Sequence, residues 1–200
     1  MNFLAHLYLS GNNPGIKTGN FIADYVKGSK YDHFPEDIQK GIQMHRFIDH
    51  FTDTHALVRS GIAPLRPVYG KYAGVVMDIF FDHLLAIQWD KYSNQPLTEF
   101  VDEAHAAILH NLKYLPFDLK LFIPHFILFQ RLKSYQHLSG IQVVLHKMAV
   151  RFNMPDRGDE GVEILVSRYN TYHEEFNAFF PELCYHVHEK FGIIVKNIKQ

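Results

Sequence analysis

The chain is nearly free of cysteine: Cys184 is the only one among 200 residues. That excludes an intramolecular disulfide and a Cys-rich zinc site. Net charge is almost absent too, at −1, so no global field draws the chain to nucleic acid or to a membrane surface. No apolar run approaches the roughly 18–20 residues that a membrane span needs. The opening MNFLAHLYLS has no basic segment, and His6 interrupts its short apolar run, so no signal peptide is expected and the cytoplasm is the expected location. Alternating strand patterns and Asn-Gly or Asp-Gly hairpin signals are missing. So are a P-loop, a dinucleotide glycine fingerprint after a strand, and a G-x-S-x-G elbow.

What is present is apolar and helical. Hydrophobic residues make up 47% of the chain and charged residues 20%, enough for one sizeable core and too apolar for disorder. The periodicity predicts an all-α, single-domain helical bundle over 1–200. NFLAHLYL reads as a short buried helix. GIKTGNFIADYVKG reads as a helix of about three turns stopped by Gly28. FPEDIQKGIQMHRFIDHFTDTH reads as a long helix, with Pro35 near its start and Glu36 and Asp37 in the first turn. A loop-rich connection follows, then a second long helix over 70–92. Later helices are expected over LTEFVDEAHAAILHNLKYL, PHFILFQRLKSYQ, GIQVVLHKMAVRF and DEGVEILVSRYNTYHEEFNAFF, with one more from Pro181 through the tail.

Several polar residues stand on apolar faces. Asp78 and Asp82, four apart in GVVMDIFFDHLLAIQW, share one side of their helix. Two neighbouring carboxylates in such surroundings are costly unless a cation offsets them. His45 and Asp49 repeat the theme on the first long helix, with Asp53 one turn on. Asp24 interrupts FIADYV, and His6 interrupts FLAHLYL. Each has a plain structural use as well: a core histidine bonded to a carbonyl, an Asp paired with Arg46, a solvated helix end. Asp78 and Asp82 resist such an account, because the residues around them are apolar on every side of the helix.

Four segments that each carry Asp or His can converge inside a bundle, which is how bundle-core metal sites are built. Carboxylate and imidazole without sulfur favour Mn²⁺, Fe²⁺ or Mg²⁺ over structural zinc. A cation in an incomplete protein shell acidifies bound water. Of the 14 histidines, His105, His110, His146 and His173 are expected at the surface.

NFLAHLYLS, GNFIADYVKG, IQMHRFIDHFTD and MDIFFDHLL, in this order and spacing, resemble the acyl carrier protein phosphodiesterase family. The resemblance is carried by motifs from Met1 to about Trp89 and continues more weakly beyond. It implies a rearranged relative of the HD-domain phosphohydrolases. It implies hydrolysis of the phosphodiester joining 4′-phosphopantetheine to a serine of holo-acyl carrier protein, usually with Mn²⁺. It places Asp24 on a metal-binding position, His45 and Asp49 on an M-H-R-x-I-D motif, and Asp78, Asp82 and His83 on a D-x-x-x-D-H motif. The family's F-V-R-G is Tyr25-Val26-Lys27-Gly28 here, and Phe47 replaces a second Arg.

The expected roles follow. Asp24, His45, Asp49, Asp78, Asp82 and His6 form the metal set, Asp24 is also catalytic, and His83 is the proton donor to the leaving group. Carrier proteins are acidic, so Lys27, Arg46, Arg59 and Arg66, with Lys30 and Lys71, are the expected docking residues. An ordinary HD-type nucleotide phosphohydrolase, or a non-enzymatic metal-binding bundle, are the alternatives.

Overall fold

A computed structural model describes residues 1–195, and among them there are helices but no strand. The order is α1 (Phe3–Leu9), α2 (Pro14–Ile22), α3 (Glu36–Thr54), α4 (Ala56–Ile62), α5 (Arg66–Tyr69), α6 (Ala73–Ile87), α7 (Trp89–Tyr92), α8 (Leu97–His110), α9 (Phe117–Leu128), α10 (Arg131–Ser134), α11 (Leu138–Phe152), α12 (Gly158–Ser167) and α13 (Tyr169–Phe191), with short 3₁₀ turns between some of them. No described helix is long and apolar enough to cross a membrane.

The all-α reading holds, and one continuous core joins the helices. At its centre is α6, where Met77, Ile79, Phe80, Phe81, Leu84 and Leu85 are fully buried. α1 packs beside it and is buried from Leu4 to Leu9. Asn13 opens α2 by accepting from the Gly15 and Ile16 N–H groups, with Pro14 in the first turn. Gly19 of α2 crosses Gly41 of α3 so closely that a Cβ on Gly41 would sit 2.8 Å from the Gly19 Cα. That approach brings the next residue, Asn20, within reach of α3.

Several boundaries differ from the sequence reading. α2 ends at Ile22, and Asp24 falls in a 3₁₀ turn over Ala23–Tyr25. The Arg46 guanidinium donates to the carbonyls of Val26 and Gly28, which holds this stretch out of the helix. The connection after α3 is mostly helical rather than loop-rich, and the helix expected over 70–92 is interrupted at Gln88. α9 begins at Phe117, before Pro124, and stops ahead of the left-handed Gln130 (φ 44°). The helix expected across 159–180 breaks at Arg168, whereas α13 runs straight through Pro181.

A proline inside a helix costs about 3 kcal/mol. Burial of Phe176, Phe179, Phe180, Leu183 and Val187 around Pro181 offsets it. The expected tail helix extends over 196–199, which lies outside the described residues. His105 is not at the surface: it is buried with its ring edge on Phe126.

Candidate metal centre

The N-terminal segment with α1, the 3₁₀ turn after α2, α3 and α6 bring five of the predicted residues together. His6, Asp24, His45, Asp49 and Asp78 line one cavity of about 670 Å³, with Met1, Asn20, Asp53, Lys71 and Arg151 also on its wall. His6, His45 and Asp49 offer ligand atoms that all lie within 4.8 Å of one another.

Asn20 organises the two histidines. Its Nδ2 donates to the His6 carbonyl (2.9 Å) and to Ser10 Oγ (3.0 Å). Since a carbonyl only accepts, this fixes which end of the amide points where. Its Oδ1 therefore faces the imidazoles, at 2.7 Å from His6 Nδ1 and 3.1 Å from His45 Nδ1. Both rings must carry hydrogen on Nδ1 and turn Nε2 toward the cavity.

There the acceptors crowd. His6 Nε2 lies 3.1 Å from Asp49 Oδ1 and 3.1 Å from the Met1 carbonyl. His45 Nε2 lies 3.0 Å from Asp49 Oδ2 and 3.1 Å from Asp24 Oδ1. A neutral ring with Nδ1–H would aim a lone pair at those oxygens. The arrangement requires positive charge at the Nε2 atoms, a proton or a metal ion.

The titration shifts have the same origin. Burial would lower His45, but the hydrogen bonds its Nε2 donates to Asp24 and Asp49 outweigh it and push it up to about 9. His6 goes the other way, lowered by burial and by the neighbouring His45. Asp49 is held below the usual carboxylate range by the two histidines despite its burial, and Asp24 chiefly by its hydrogen bond with His45.

The acidic pair on α6 splits in function. Asp78 Oδ1 is 2.8 Å from the Met1 amino group. Burial would lower that ammonium, but Asp78 and Asp49 raise it to about 10. Asp82 is fully buried and points elsewhere. It accepts from the backbone N–H groups of Asn2 (3.3 Å), Leu4 (2.8 Å) and Ala5 (3.2 Å). It thus caps the first turn of α1 from a different helix. Burial still pushes the Asp82 carboxyl up to about 7, against those N–H donors. His83, buried, gives its Nδ1 to the Tyr135 carbonyl at 2.7 Å and is not on the cavity wall. Since a carbonyl only accepts, His83 carries its hydrogen on Nδ1, and this bond holds the ring off the cavity wall.

The expected docking residues also separate. Arg46 staples the 26–28 backbone and lies over Tyr31. Lys27, Lys30, Arg59 and Arg66 are exposed and off the cavity wall, with Arg59 bonded to the Asp53 carbonyl. Lys71 is on it. So is Arg151 of α11, which the sequence reading passed over. Arg151 lies over Tyr25, Phe122 and Phe152, with Asp24 as the acidic charge it faces.

A family model for acyl carrier protein phosphodiesterase matches residues 1–183. Among similar proteins, acyl carrier protein phosphodiesterases of Salmonella agona (strain SL483) and Salmonella newport (strain SL254) are each 33% identical over 184 residues. That covers 92% of this chain and 95% of each relative. No solved structure matches the chain significantly.

Proposed function

Since the chain belongs to the acyl carrier protein phosphodiesterase family, a family of phosphoric diester hydrolases, we propose that it is a metal-dependent enzyme that removes 4′-phosphopantetheine from holo-acyl carrier protein. The observation that carries the metal dependence is the Asn20 arrangement: two Nε2 atoms and the Asp24 and Asp49 oxygens converge where only positive charge is tolerable. His6, His45, Asp49 and Asp24 would hold the ion, with Asp78 beside them. Imidazole and carboxylate suit Mn²⁺, Mg²⁺ or Fe²⁺.

A divalent cation there would neutralise phosphoryl oxygens and supply an acidified water. The protein does the rest. Asn20 fixes both imidazole orientations. Arg151 and Lys71, on the cavity wall, offset the charge of the phosphodiester's free oxygens. Phe3, Phe21, Val75, Met148 and Phe152 give the cavity an apolar lining that keeps bulk water from the ester and strengthens each charged contact.

The cavity is large enough for a phosphorylated arm, which weighs against a closed, purely structural metal bundle. Nucleotide hydrolysis remains the competing activity. Incubation of the Mn²⁺-loaded protein with holo-acyl carrier protein, and separately with nucleoside mono- and triphosphates, decides between them. Loss of the arm from the carrier by intact-mass spectrometry, with no nucleotide turnover, is the expected result. The reverse pattern would replace the reading.

A further inference from the structure

Next to the catalytic cavity lies a second, more open groove of about 560 Å³ between α9, α10 and α11. Met148 and Arg151 line both, so the two spaces adjoin. Arg131, Lys147 and Arg151 supply three cations to the groove, and none forms a salt bridge among the described residues. Arg131 is only 8% exposed, yet its Nε has no hydrogen-bond partner. That atom is sealed from solvent, and Arg131 contributes to the groove through its positive charge on the wall.

The surface around the groove is apolar. Leu121, Leu128 and Phe129 of the α9 end are 66%, 76% and 56% exposed, and Val143 and Val150 of α11 are 49% and 85%. The two faces are knitted into one patch. Lys147 Nζ is 3.2 Å from His125 Nε2 and lies over the Phe129 ring at 4.6 Å. Leu121 and His125 share a face of α9, as do Val143, Lys147 and Arg151 of α11. An exposed apolar patch interspersed with cations that form no salt bridge marks a partner site, and the complementary partner is an acidic surface with its own apolar residues.

We infer that the acidic carrier protein docks on this α9–α11 face, and not on the surface of Arg59 and Arg66. The inference rests on the proposed carrier-protein activity and deepens it. Docking here sets the carrier's modified serine at the shared wall of Met148 and Arg151. The arm then has a short path into the cavity.

The test uses the full chain. Leu121→Asp and Lys147→Glu are combined in one variant, and Arg59→Glu and Arg66→Glu in another. All four residues lie outside the cavity wall. Steady-state hydrolysis of holo-acyl carrier protein is measured at low and physiological salt. The α9–α11 variant should raise KM about tenfold, with kcat at saturation and Mn²⁺ affinity retained. The Arg59/Arg66 variant should match wild type. An unchanged KM in the first variant, or a raised KM only in the second, overturns this docking face and leaves the activity standing. If wild type does not turn over the carrier, both fall together. If anionic vesicles bind wild type and not the first variant while KM is unaltered, the patch is a membrane surface and the inference is wrong.

Discussion

The imidazole rings of His6 and His45 are stacked, with centroids 4.1 Å apart and planes 19° from parallel. They come from α1 and α3, and Asn20 of α2 accepts from both. Two protonated rings at that distance would repel, so the pair is suited to one shared cation. Replacing Asn20 with Ala should lower Mn²⁺ affinity by roughly 10–100-fold, the usual cost of losing a group that orients metal-binding histidines. Isothermal titration of metal-stripped protein measures it. An affinity within twofold of wild type would show that the rings need no such support.

Asp78 and Asp82 should respond differently to removal. Asp82→Ala strands the N–H groups of Leu4 and Ala5 at the buried start of α1. It should cost about 2–4 kcal/mol in urea unfolding. Asp78→Ala should stay folded, because Asp49 remains 3.9 Å from the Met1 amino group, yet lose activity on the order of 100-fold. If Asp82→Ala proved the more active and more stable of the two, the division of labour would be reversed.

His83 tests whether the resemblance alone assigns roles. The motif suggested a proton donor, but the ring bonds the Tyr135 carbonyl away from the cavity. His83→Gln is expected to lose about 1–2 kcal/mol of stability and to keep the wild-type pH–rate profile. Loss of one limb of that profile would restore His83 to the chemistry.

Stability of the metal-free protein should depend on pH through His45. Its folded value, about 9, lies above the ordinary 6.5, so its contribution is complete below about 6.5. It disappears as pH rises through 9 and amounts to roughly 3 kcal/mol at most. The Met1 amine, raised from 8.0 to about 10, adds a loss in the same direction. Metal binding must displace the His45 proton, so Mn²⁺ affinity should rise with pH over this window. Urea midpoints of stripped protein at pH 6.5 and 9.5 check the first claim. A more stable protein at pH 9.5 would contradict it.

The sequence announced much of this site through misplaced polarity. His6, Asp24, His45, Asp49 and Asp78 were each visible as a charged or imidazole group in an apolar run, and the fold brings them to one cavity. Asp82 gave the same signal for a different physical reason. A carboxylate buried beside a helix start looks, in sequence, like one buried beside a cation, because both are stabilised by positive potential. Asn20 was legible in principle, since it lies four residues before Asp24 in GNFIAD. A neutral amide raises no burial alarm, however. Arg151 was not legible, because its role depends on the end of α11 reaching Tyr25 in the 3₁₀ turn after α2 and Phe122 of α9, contacts between distant parts of the chain. The continuity of α13 through Pro181 was likewise hidden, because a local rule was overridden by burial that only the tertiary structure supplies.

In the proposed reaction, the His6, Asp24, His45 and Asp49 cluster holds the cation on which phosphodiester cleavage depends. The most direct test titrates Mn²⁺ into metal-stripped wild type and into His45→Ala, with release of phosphopantetheine from holo-acyl carrier protein followed by intact-mass spectrometry. Turnover should be absent in stripped wild type, rise with Mn²⁺ occupancy, and stay absent in His45→Ala at the same Mn²⁺ concentrations, while His188→Ala, at an exposed position on α13, behaves as wild type. Full turnover by stripped wild type, or by His45→Ala, would contradict the claim.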